Sequence, residues 1–285
     1  MVRIITDTTA CLSPEIASRY SIPIVPQVIN FGMESFFEGV NMDVDDFLNR
    51  LKTSAELPKT AAPAPEFFIK EFQHLVGTGE PIVCIHPSKE ISGTVRSATI
   101  AAMVFPQLDI RVIDTRLVAS PLGTLVQLAA EWAAAGLDAD TIVSRVQEMS
   151  QRCRIYFLVD TLEYLARGGR IGGAAALLGS VLQIKPILRL HDGKVDQYER
   201  ERTQKRAIAR LKEIVLEQIP RNGDGYMSIM YAGNKAAGQA LADELGREIG
   251  QPEVPVVSMP PAIIAHGGPG ILAVGFFVKN QALAT

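Results

Sequence analysis

Residues 82–103 read IVCIHPSKEISGTVRSATIAAM, and this stretch contains the signals of a strand, a turn and a helix in succession. The apolar run 82–85 is short and mostly β-branched, as in strands that are buried on both faces of a parallel sheet. The polar segment that follows includes Ser92-Gly93-Thr94, and a helix is predicted from about 92 to 103. A strand that leads into a helix in this way is the repeating unit of a parallel α/β sheet.

The same alternation of strands and helices fills the first half of the chain. Strands are predicted at 2–6, 22–31 and 110–113, and helices at 43–51, 65–76, 120–135 and 138–151. Ser13-Pro14-Glu15 predicts the start of a further helix, because serine caps helices and proline favours the first helical position. We therefore predict an N-terminal α/β domain over residues 1–155, with a mainly parallel sheet that is flanked by helices.

The second half begins with a different pattern. Residues 187–198 read ILRLHDGKVDQY, in which Asp192-Gly193 supplies the positive φ angles of a tight hairpin turn. Further strands are predicted at 155–159, 227–231, 254–257 and 271–278, and long helices at 203–218 and 234–249. This combination predicts a C-terminal α/β domain with a mixed sheet over residues 156–285, so the predicted fold class is a two-domain α/β protein.

The composition excludes several classes of function. With 28 Lys and Arg against 31 Asp and Glu, the net charge of −3 provides no basic surface for nucleic acid. No window approaches about 18 continuous apolar residues, so no transmembrane segment is expected, and the first residues lack the apolar run of a signal peptide. The three cysteines and four histidines are too widely spaced for a metal site or a disulfide framework. A cytoplasmic protein without a metal is the expectation.

Polar residues cluster where predicted strands end, and the ligands of open α/β sheets bind at such edges. The clusters are TDTT at 6–9, SGT at 92–94 and HGGPG at 266–270, together with Pro58-Lys59-Thr60 at the start of a predicted loop. Ser92 suits either the capping of its own helix or contact with a ligand carboxylate, and the two roles are compatible. For Asp7 we favour a structural role in an Asx turn. His266 is the one histidine in a predicted glycine-rich loop, where backbone and ligand can approach closely, although a lone histidine is also commonly structural.

A second polar segment, TLEYLARGGRIGG at 161–173, predicts the end of a helix. Its glycines can adopt the left-handed backbone that terminates helices, and the apolar run 174–182 follows. Arg170 then lies on the turn after the helix, where its guanidinium would either remain solvated or bind carboxylate or phosphate oxygens.

Three common catalytic motifs are missing. There is no G-x-x-x-x-G-K-[ST] phosphate loop and no G-x-G-x-x-G after a strand. There is also no G-x-S-x-G nucleophile elbow, since Glu90 occupies the position where that motif needs glycine before Ser92. The sequence therefore disfavours ATP-dependent catalysis and α/β-hydrolase chemistry by this chain alone.

Several motifs, spread over nearly the whole chain, match one family in the expected order. They are ITDTTA at 5–10, PKT at 58–60, ISGT at 91–94, VIDT at 112–115, LEYL at 162–165, GGRI at 168–171, IKPI at 184–187 and the HGGPG segment at 266–270. Through these motifs the chain resembles the DegV family of bacterial lipid-binding proteins.

The resemblance implies a carrier and not an enzyme. It implies one long-chain fatty acid, such as palmitate, in a buried tunnel between the two domains, and a separate ATP-dependent kinase that converts the acid to an acyl-phosphate. The ligand-binding residues that it implies are Thr60, Ser92, Gly93, Thr94, His266 and Gly268. Arg170 matches a position that we assign to kinase docking or acyl-phosphate recognition. No catalytic residue and no cofactor is implied in this chain.

The chain departs from the family pattern at the expected head-group site. Ala61-Ala62 stands where many members have Ser-Gln, and Gly267 where threonine is common, so fewer polar neighbours surround the carboxylate. Two alternatives stay open. One is a serine acyl hydrolase that uses Ser92 and His266 with Asp7 or Asp114 as the orienting carboxylate. The other is a sensor or scaffold in which the lipid is a structural filler.

Overall fold

The computed structural model describes residues 1–178, 184–221 and 223–279. The chain divides into two units: the first holds Met1–Gln151 and Pro260–Ala262, and the second holds Arg152–Met259 and the residues from Ile263 onward. The strands of the first unit are β1 (Arg3–Asp7), β2 (Ile24–Val25), β3 (Val28–Phe31), β4 (Glu34–Phe37), β5 (Lys59–Ala61), β6 (Ile82–His86) and β7 (Ile110–Asp114). Its helices are α1 (Pro14–Arg19), α2 (Val44–Thr53), α3 (Pro65–Gln73), α4 (Thr94–Ala102), α5 (Ser120–Ala134) and α6 (Ala139–Arg152), the last of which reaches the boundary.

A parallel sheet organises the first unit, as the sequence predicts. Its strand order is β2-β1-β6-β7, and every neighbouring pair is parallel. Ile5 and Cys84 pack with Phe68 and Phe72 of α3 on one face, where Ala98 of α4 lets the helix approach closely. Helix α5 contacts β1 and β6 as well. Helix packing of this kind explains why the central strands are buried along nearly their whole length.

A second, three-stranded antiparallel sheet in the first unit was not predicted. Its order is β4-β3-β5. The predicted strand 22–31 is in fact two strands, because Pro26, which lacks an N–H donor, separates β2 in the parallel sheet from β3 in the antiparallel one. The predicted loop at Thr60 is wrong for the same sheet: Thr60 lies in β5, directly opposite Ile29. Strand β5 has no apolar alternation, so only its pairing with β3 could reveal it.

The second unit contains a six-stranded mixed sheet, again as predicted. Its strands are β8 (Cys153–Leu158), β9 (Lys185–His191), β10 (Lys194–Glu201), β11 (Ser228–Tyr231), β12 (Val256–Ser258) and β13 (Leu272–Phe277), in the order β10-β9-β8-β13-β11-β12. Only β11 and β12 are parallel. The predicted hairpin turn is confirmed, since Asp192 and Gly193 have φ angles of 48° and 77°.

The helices described after β8 are α7 (Glu163–Arg167), α8 (Gln204–Gln218), α9 (Lys235–Ile249) and α10 (Pro261–Gly267), and most of α10 belongs to the second unit. Leu211 of α8 and Leu245 of α9 pack with Val274 and Phe276 of β13 in one buried core. Of the predicted apolar run 174–182, a short 3-10 helix (Gly172–Leu177) covers the first part, and residues 179–182 lie outside the described residues. No helix among the residues that the structure describes is both long and apolar enough to cross a membrane.

The predicted loop around His266 is partly wrong, because His266 lies in the last turn of α10. Pro261 at the first helical position starts this helix, and Gly268, with a φ angle of 84°, follows its end. The proline and the glycine thus delimit a helix, whereas the predicted loop rested on the glycines alone.

A buried glutamate fixes the start of α10 within the first unit. Glu38, which follows β4, is only 2% exposed, and its Oε1 accepts a hydrogen bond of 2.6 Å from the backbone N–H of Ala262. Burial raises the pKa of the Glu38 carboxyl to about 7, and the charge of Asp7 acts in the same direction, although the Thr8 hydroxyl and the Ala262 amide favour the ionised form. The ionised carboxylate therefore has a net cost in the folded state.

Glu38→Gln is expected to stabilise the protein more at pH 8 than at pH 5. The pKa of Glu38 is above its ordinary value of 4.5, so the folded state retains a proton that the unfolded chain loses, and wild-type stability falls as the pH rises from about 4.5 to about 7. Glutamine keeps an acceptor for the Ala262 amide and has no charge to bury. In urea unfolding, the free-energy difference between variant and wild type should grow by on the order of 2 kcal/mol between these two pH values.

Glu34→Gln is the matched control for this measurement, because it removes an exposed carboxylate from the start of the same strand, β4. A Glu38→Gln difference that is constant across the pH range would contradict the raised pKa.

Candidate functional site

Buried polar side chains meet at the carboxyl edge of the parallel sheet. Asp7 and His86 end the two central strands, β1 and β6, and both side chains are fully buried. Gln27 follows β2 by two residues and is 3% exposed. Because parallel strands end at the same edge, three segments that are distant in sequence bring their polar residues together here.

Asp7 accepts four hydrogen bonds. Its Oδ1 accepts from the Thr9 N–H at 3.1 Å, the Thr9 hydroxyl at 2.6 Å and Gln27 Nε2 at 3.0 Å, and its Oδ2 lies 2.8 Å from His86 Nδ1. The bonds to Thr9 confirm the Asx turn that the sequence predicts. The contacts to Gln27 and His86 are additional, and they make Asp7 the centre of a buried network.

Neither Gln27 nor His86 was predicted as a site residue. His86 directly ends a strong strand signal, so its position at a strand end was available as a clue. Gln27 gave no such clue, because the predicted strand 22–31 ran through it. The structure shows that Gln27 Nε2 also donates to the hydroxyl of Thr94 at 2.9 Å.

The predicted Ser92-Gly93-Thr94 turn lies directly on this network. Ser92 Oγ is 2.8 Å from Thr94 Oγ1 and accepts from the Thr94 N–H at 3.3 Å, so Ser92 stabilises the start of α4 as expected, although Gly93 is the N-cap residue. Thr94 is fully buried, whereas Ser92 is half-buried and Gly93 is exposed. Of the three, Ser92 therefore carries the hydroxyl that a ligand can reach.

The strand that contains Thr60 lies beside this turn. A Cβ built on Gly93 would be 3.3 Å from the Cβ of Ala62, which follows β5, so the two segments lie close together. The first unit thus holds four of the predicted ligand-binding residues: the half-buried Thr60 of β5 and the Ser92-Gly93-Thr94 turn, which lies beside the residue that follows β5. Ala61 and Ala62 add no hydroxyl or amide side chain to this surface.

The carboxylate of Asp114 is also engaged within the first unit. Its Oδ1 accepts from the backbone N–H groups of Lys89 at 3.3 Å and Arg116 at 3.0 Å. Asp114 ends β7 at the same edge of the sheet as Asp7, and its hydrogen bonds fix the loops after β6 and β7. Both carboxylates therefore have clear structural roles.

In the second unit, the predicted helix end at 161–173 is confirmed. Helix α7 ends in two backbone bonds, from Gly169 N to Ala166 O at 3.1 Å and from Arg170 N to Leu165 O at 2.9 Å, and Gly169 has a φ angle of 69°. This is the Schellman motif, which requires the left-handed glycine. Arg170 Nη1 donates to the carbonyl of Gly168 at 2.7 Å, so the motif holds both the backbone and the side chain of Arg170.

His266 packs directly on the same helix end. A Cβ on Gly168 would be 2.2 Å from His266 Nδ1, so only glycine permits this approach. Gly268, with its positive φ, likewise has no room for a side chain, because a Cβ would be 2.8 Å from the ring of Tyr164. The remaining predicted site residues thus lie around the C-terminal end of α7 in the second unit: Arg170, His266 and Gly268.

The imidazole of His266 is neutral at physiological pH. Burial, and secondarily the positive charge of Arg170, lower its pKa to about 4. A neutral imidazole has one donor and one acceptor nitrogen and adds no fixed positive charge. Arg170 is therefore the cation of this cluster. Among the described residues, no group of three His, Cys, Asp or Glu side chains could hold a metal ion.

Gly168→Ala is expected to displace the His266 ring and raise its pKa from about 4 toward 6.5, because the added methyl group would overlap Nδ1 and push the ring toward solvent. An NMR titration of the histidine ring resonances measures this shift. Gly169→Ala is the control: it has the strain of a positive φ, about 1 to 2 kcal/mol, but no atom within 4 Å of the new Cβ. An unchanged His266 pKa in Gly168→Ala would show that the contact is absent.

Comparison with known proteins places the whole chain in one family. The family model described as "Uncharacterised protein, DegV family" matches residues 1–279. A DegV domain-containing protein of Streptomyces coelicolor is 37% identical over 279 residues, which cover 96% of this chain and 97% of that protein. A fatty acid-binding DegV family protein from Thermus thermophilus has a solved structure that matches with a TM-score of 0.90 at 28% identity, over 98% of this chain and 99% of the other. A fatty acid-binding DegV family protein from Streptococcus agalactiae matches with a TM-score of 0.90 at 29% identity and the same coverage. This chain therefore belongs to the DegV family.

Proposed function

We propose that this chain binds one long-chain fatty acid through its carboxylate. The observation that carries the proposal is its similarity, over 98% of its length, to two DegV family structures that are described as binding fatty acids. Palmitate is the ligand that we use as the reference. The acyl chain would be enclosed in apolar protein, since its burial is favourable by about 0.8 kcal/mol per methylene group.

In this proposal the hydroxyl groups of Thr60 and Ser92 donate to the carboxylate. The Ser92 hydroxyl is half-buried beside the exposed Gly93. The hydroxyl of the buried Thr94 is hydrogen-bonded to the Ser92 hydroxyl and holds it in position. His266 and Gly268, the other members of the proposed ligand-binding set, lie in the second unit.

The proposal assigns the chain a carrier role. A separate ATP-dependent kinase would phosphorylate the presented carboxylate, and Arg170 would contact that kinase or the acyl-phosphate. The rigid Schellman motif supports this assignment, because it holds a permanently charged guanidinium in a fixed position. Since the partner consumes ATP, we place the pair in the cytoplasm. The serine acyl hydrolase has less support, because His86 and backbone amides engage Asp7 and Asp114, the two carboxylates that would orient its histidine.

Ser92→Ala and Thr60→Ala are each expected to weaken palmitate binding by about 10- to 100-fold, because a hydrogen bond to a charged group contributes about 1.5 to 3 kcal/mol. Isothermal titration gives the dissociation constants, and mass spectrometry of lipid extracted from the purified proteins gives the bound amount. Thr99→Ala, which removes an exposed hydroxyl from α4, is the control. Full affinity in the Ser92/Thr60 double variant would refute the head-group site.

Arg170→Ala is expected to keep palmitate affinity within about twofold and to slow acyl-phosphate formation at least about tenfold, since it removes a cation that acts only at the kinase step. Single-turnover assays with a bacterial fatty acid kinase and labelled ATP measure this rate. Arg167→Ala is the matched control, because Arg167 is exposed and pairs with Glu163 at 2.7 Å on the same helix. Equal rates for the two variants would remove Arg170 from the proposal.

A further inference from the structure

An unbroken chain of hydrogen bonds runs from the interior of the first unit to Ser92. It joins His86, Asp7, Gln27, Thr94 and Ser92, with successive heavy-atom distances of 2.8, 3.0, 2.9 and 2.8 Å. The first four side chains are at most 3% exposed, and only Ser92 is half-buried. We call these five side chains the Gln27 relay.

Asp7 determines which group donates and which accepts in each hydrogen bond of the Gln27 relay. The other neighbours of this carboxylate are the N–H and O–H groups of Thr9 and a ring nitrogen of His86, so it is placed as an acceptor. The amide of Gln27 must then present its NH₂ group and not its oxygen. One N–H donates to Asp7 and the other donates to Thr94, so both protons of Gln27 Nε2 are used.

The hydrogen bond from Gln27 to Thr94 in turn determines where the hydroxyl protons of Thr94 and Ser92 point. Thr94 Oγ1 already accepts from Gln27, and its own proton has Ser92 Oγ within reach at 2.8 Å. If Ser92 donated to Thr94 instead, the hydroxyl proton of the fully buried Thr94 would have no acceptor among the residues that the structure describes, which is unfavourable in a dry interior. Thr94 therefore donates to Ser92, and the Ser92 proton is left to point outward.

We propose that Gln27 is a specificity-determining residue that makes Ser92 a hydrogen-bond donor toward the ligand. The inference rests on the proposed fatty acid site and deepens it: the Gln27 relay selects a head group that only accepts hydrogen bonds, an ionised carboxylate, over one that also donates, such as a fatty alcohol. Gln27 touches no ligand in this proposal and acts through Thr94. The selection arises because a charged acceptor gains more from a fixed donor than a neutral hydroxyl does.

Gln27→Glu is expected to reverse donor and acceptor in the hydrogen bonds from position 27 to Ser92, while it keeps the shape of the side chain. The glutamate oxygen that replaces Nε2 carries at most one proton, and that proton would be donated in a hydrogen bond to the Asp7 carboxylate. Toward Thr94 the same oxygen can therefore only accept a hydrogen bond. Thr94 then donates to position 27, Ser92 donates to Thr94, and Ser92 presents lone pairs to the ligand. The variant should lose affinity for carboxylate and gain relative affinity for a head group that donates.

The test is the ratio of the dissociation constants for 1-hexadecanol and palmitate, two ligands with the same chain length. In the wild type we expect a clear preference for palmitate, and in Gln27→Glu a ratio that is lower by about tenfold or more. Thr94→Val, which removes the hydroxyl but keeps the shape, should lower the ratio as well, and Thr94→Ser should restore it. Gln107→Glu controls for added charge, because Gln107 is an exposed glutamine of the same unit.

The outcomes separate the relay from the function. The relay alone is overturned by the following set of results. The wild-type protein binds palmitate, Ser92→Ala loses this binding, and Gln27→Glu and Thr94→Val both keep the wild-type ratio of dissociation constants. Wild-type protein that binds neither ligand overturns the proposed function and the relay with it. If thermal unfolding shows that Gln27→Glu does not fold, the Thr94→Val and Thr94→Ser pair decides: a lowered ratio that serine restores supports the relay, and equal ratios refute it.

Discussion

The buried carboxylate of Asp7 is the constraint on which the rest of the first unit depends. A fully buried carboxylate is tolerated only when donors surround it, and here Thr9, Gln27 and His86 provide them. These donors come from three segments that follow or end strands β1, β2 and β6. Satisfying one side chain therefore fixes the loops at the carboxyl edge of the sheet, and with them the position of Thr94 and Ser92.

The second unit achieves a comparable rigidity by a different means. Gly168 and Gly268 let His266 and the Tyr164 ring pack against bare backbone, where any side chain would collide. The Schellman motif at the end of α7 adds a fixed guanidinium. Close packing on glycine backbone here takes the role that the buried hydrogen-bond network has in the first unit, and both arrangements fix the positions of polar groups.

The sequence was informative wherever the signal was local. Short apolar strands, the Ser13-Pro14 helix start and the Asp192-Gly193 turn predicted the parallel sheet and the hairpin correctly, because each depends on neighbouring residues. Strand β5 and the partners of Asp7 depend on pairing across distant segments, which a single sequence does not contain. Thr60, Ser92 and His266 were predicted from polar clusters and from family motifs, whereas Gln27 belongs to none of those motifs and lay inside a predicted strand.

The hydrogen bond between Glu38 and Ala262 makes the first unit discontinuous in sequence. Residues 1–151 are synthesised first, but the Ala262 amide that donates to Glu38 is added only after residues 152–259 of the second unit have been joined to the chain. Until then an acidic side chain in the interior has no backbone partner from this segment. The first unit therefore reaches its final hydrogen bonding only after Ala262 has been added, and a chain cut before Pro260 would have an incomplete N-terminal unit despite containing residues 1–151.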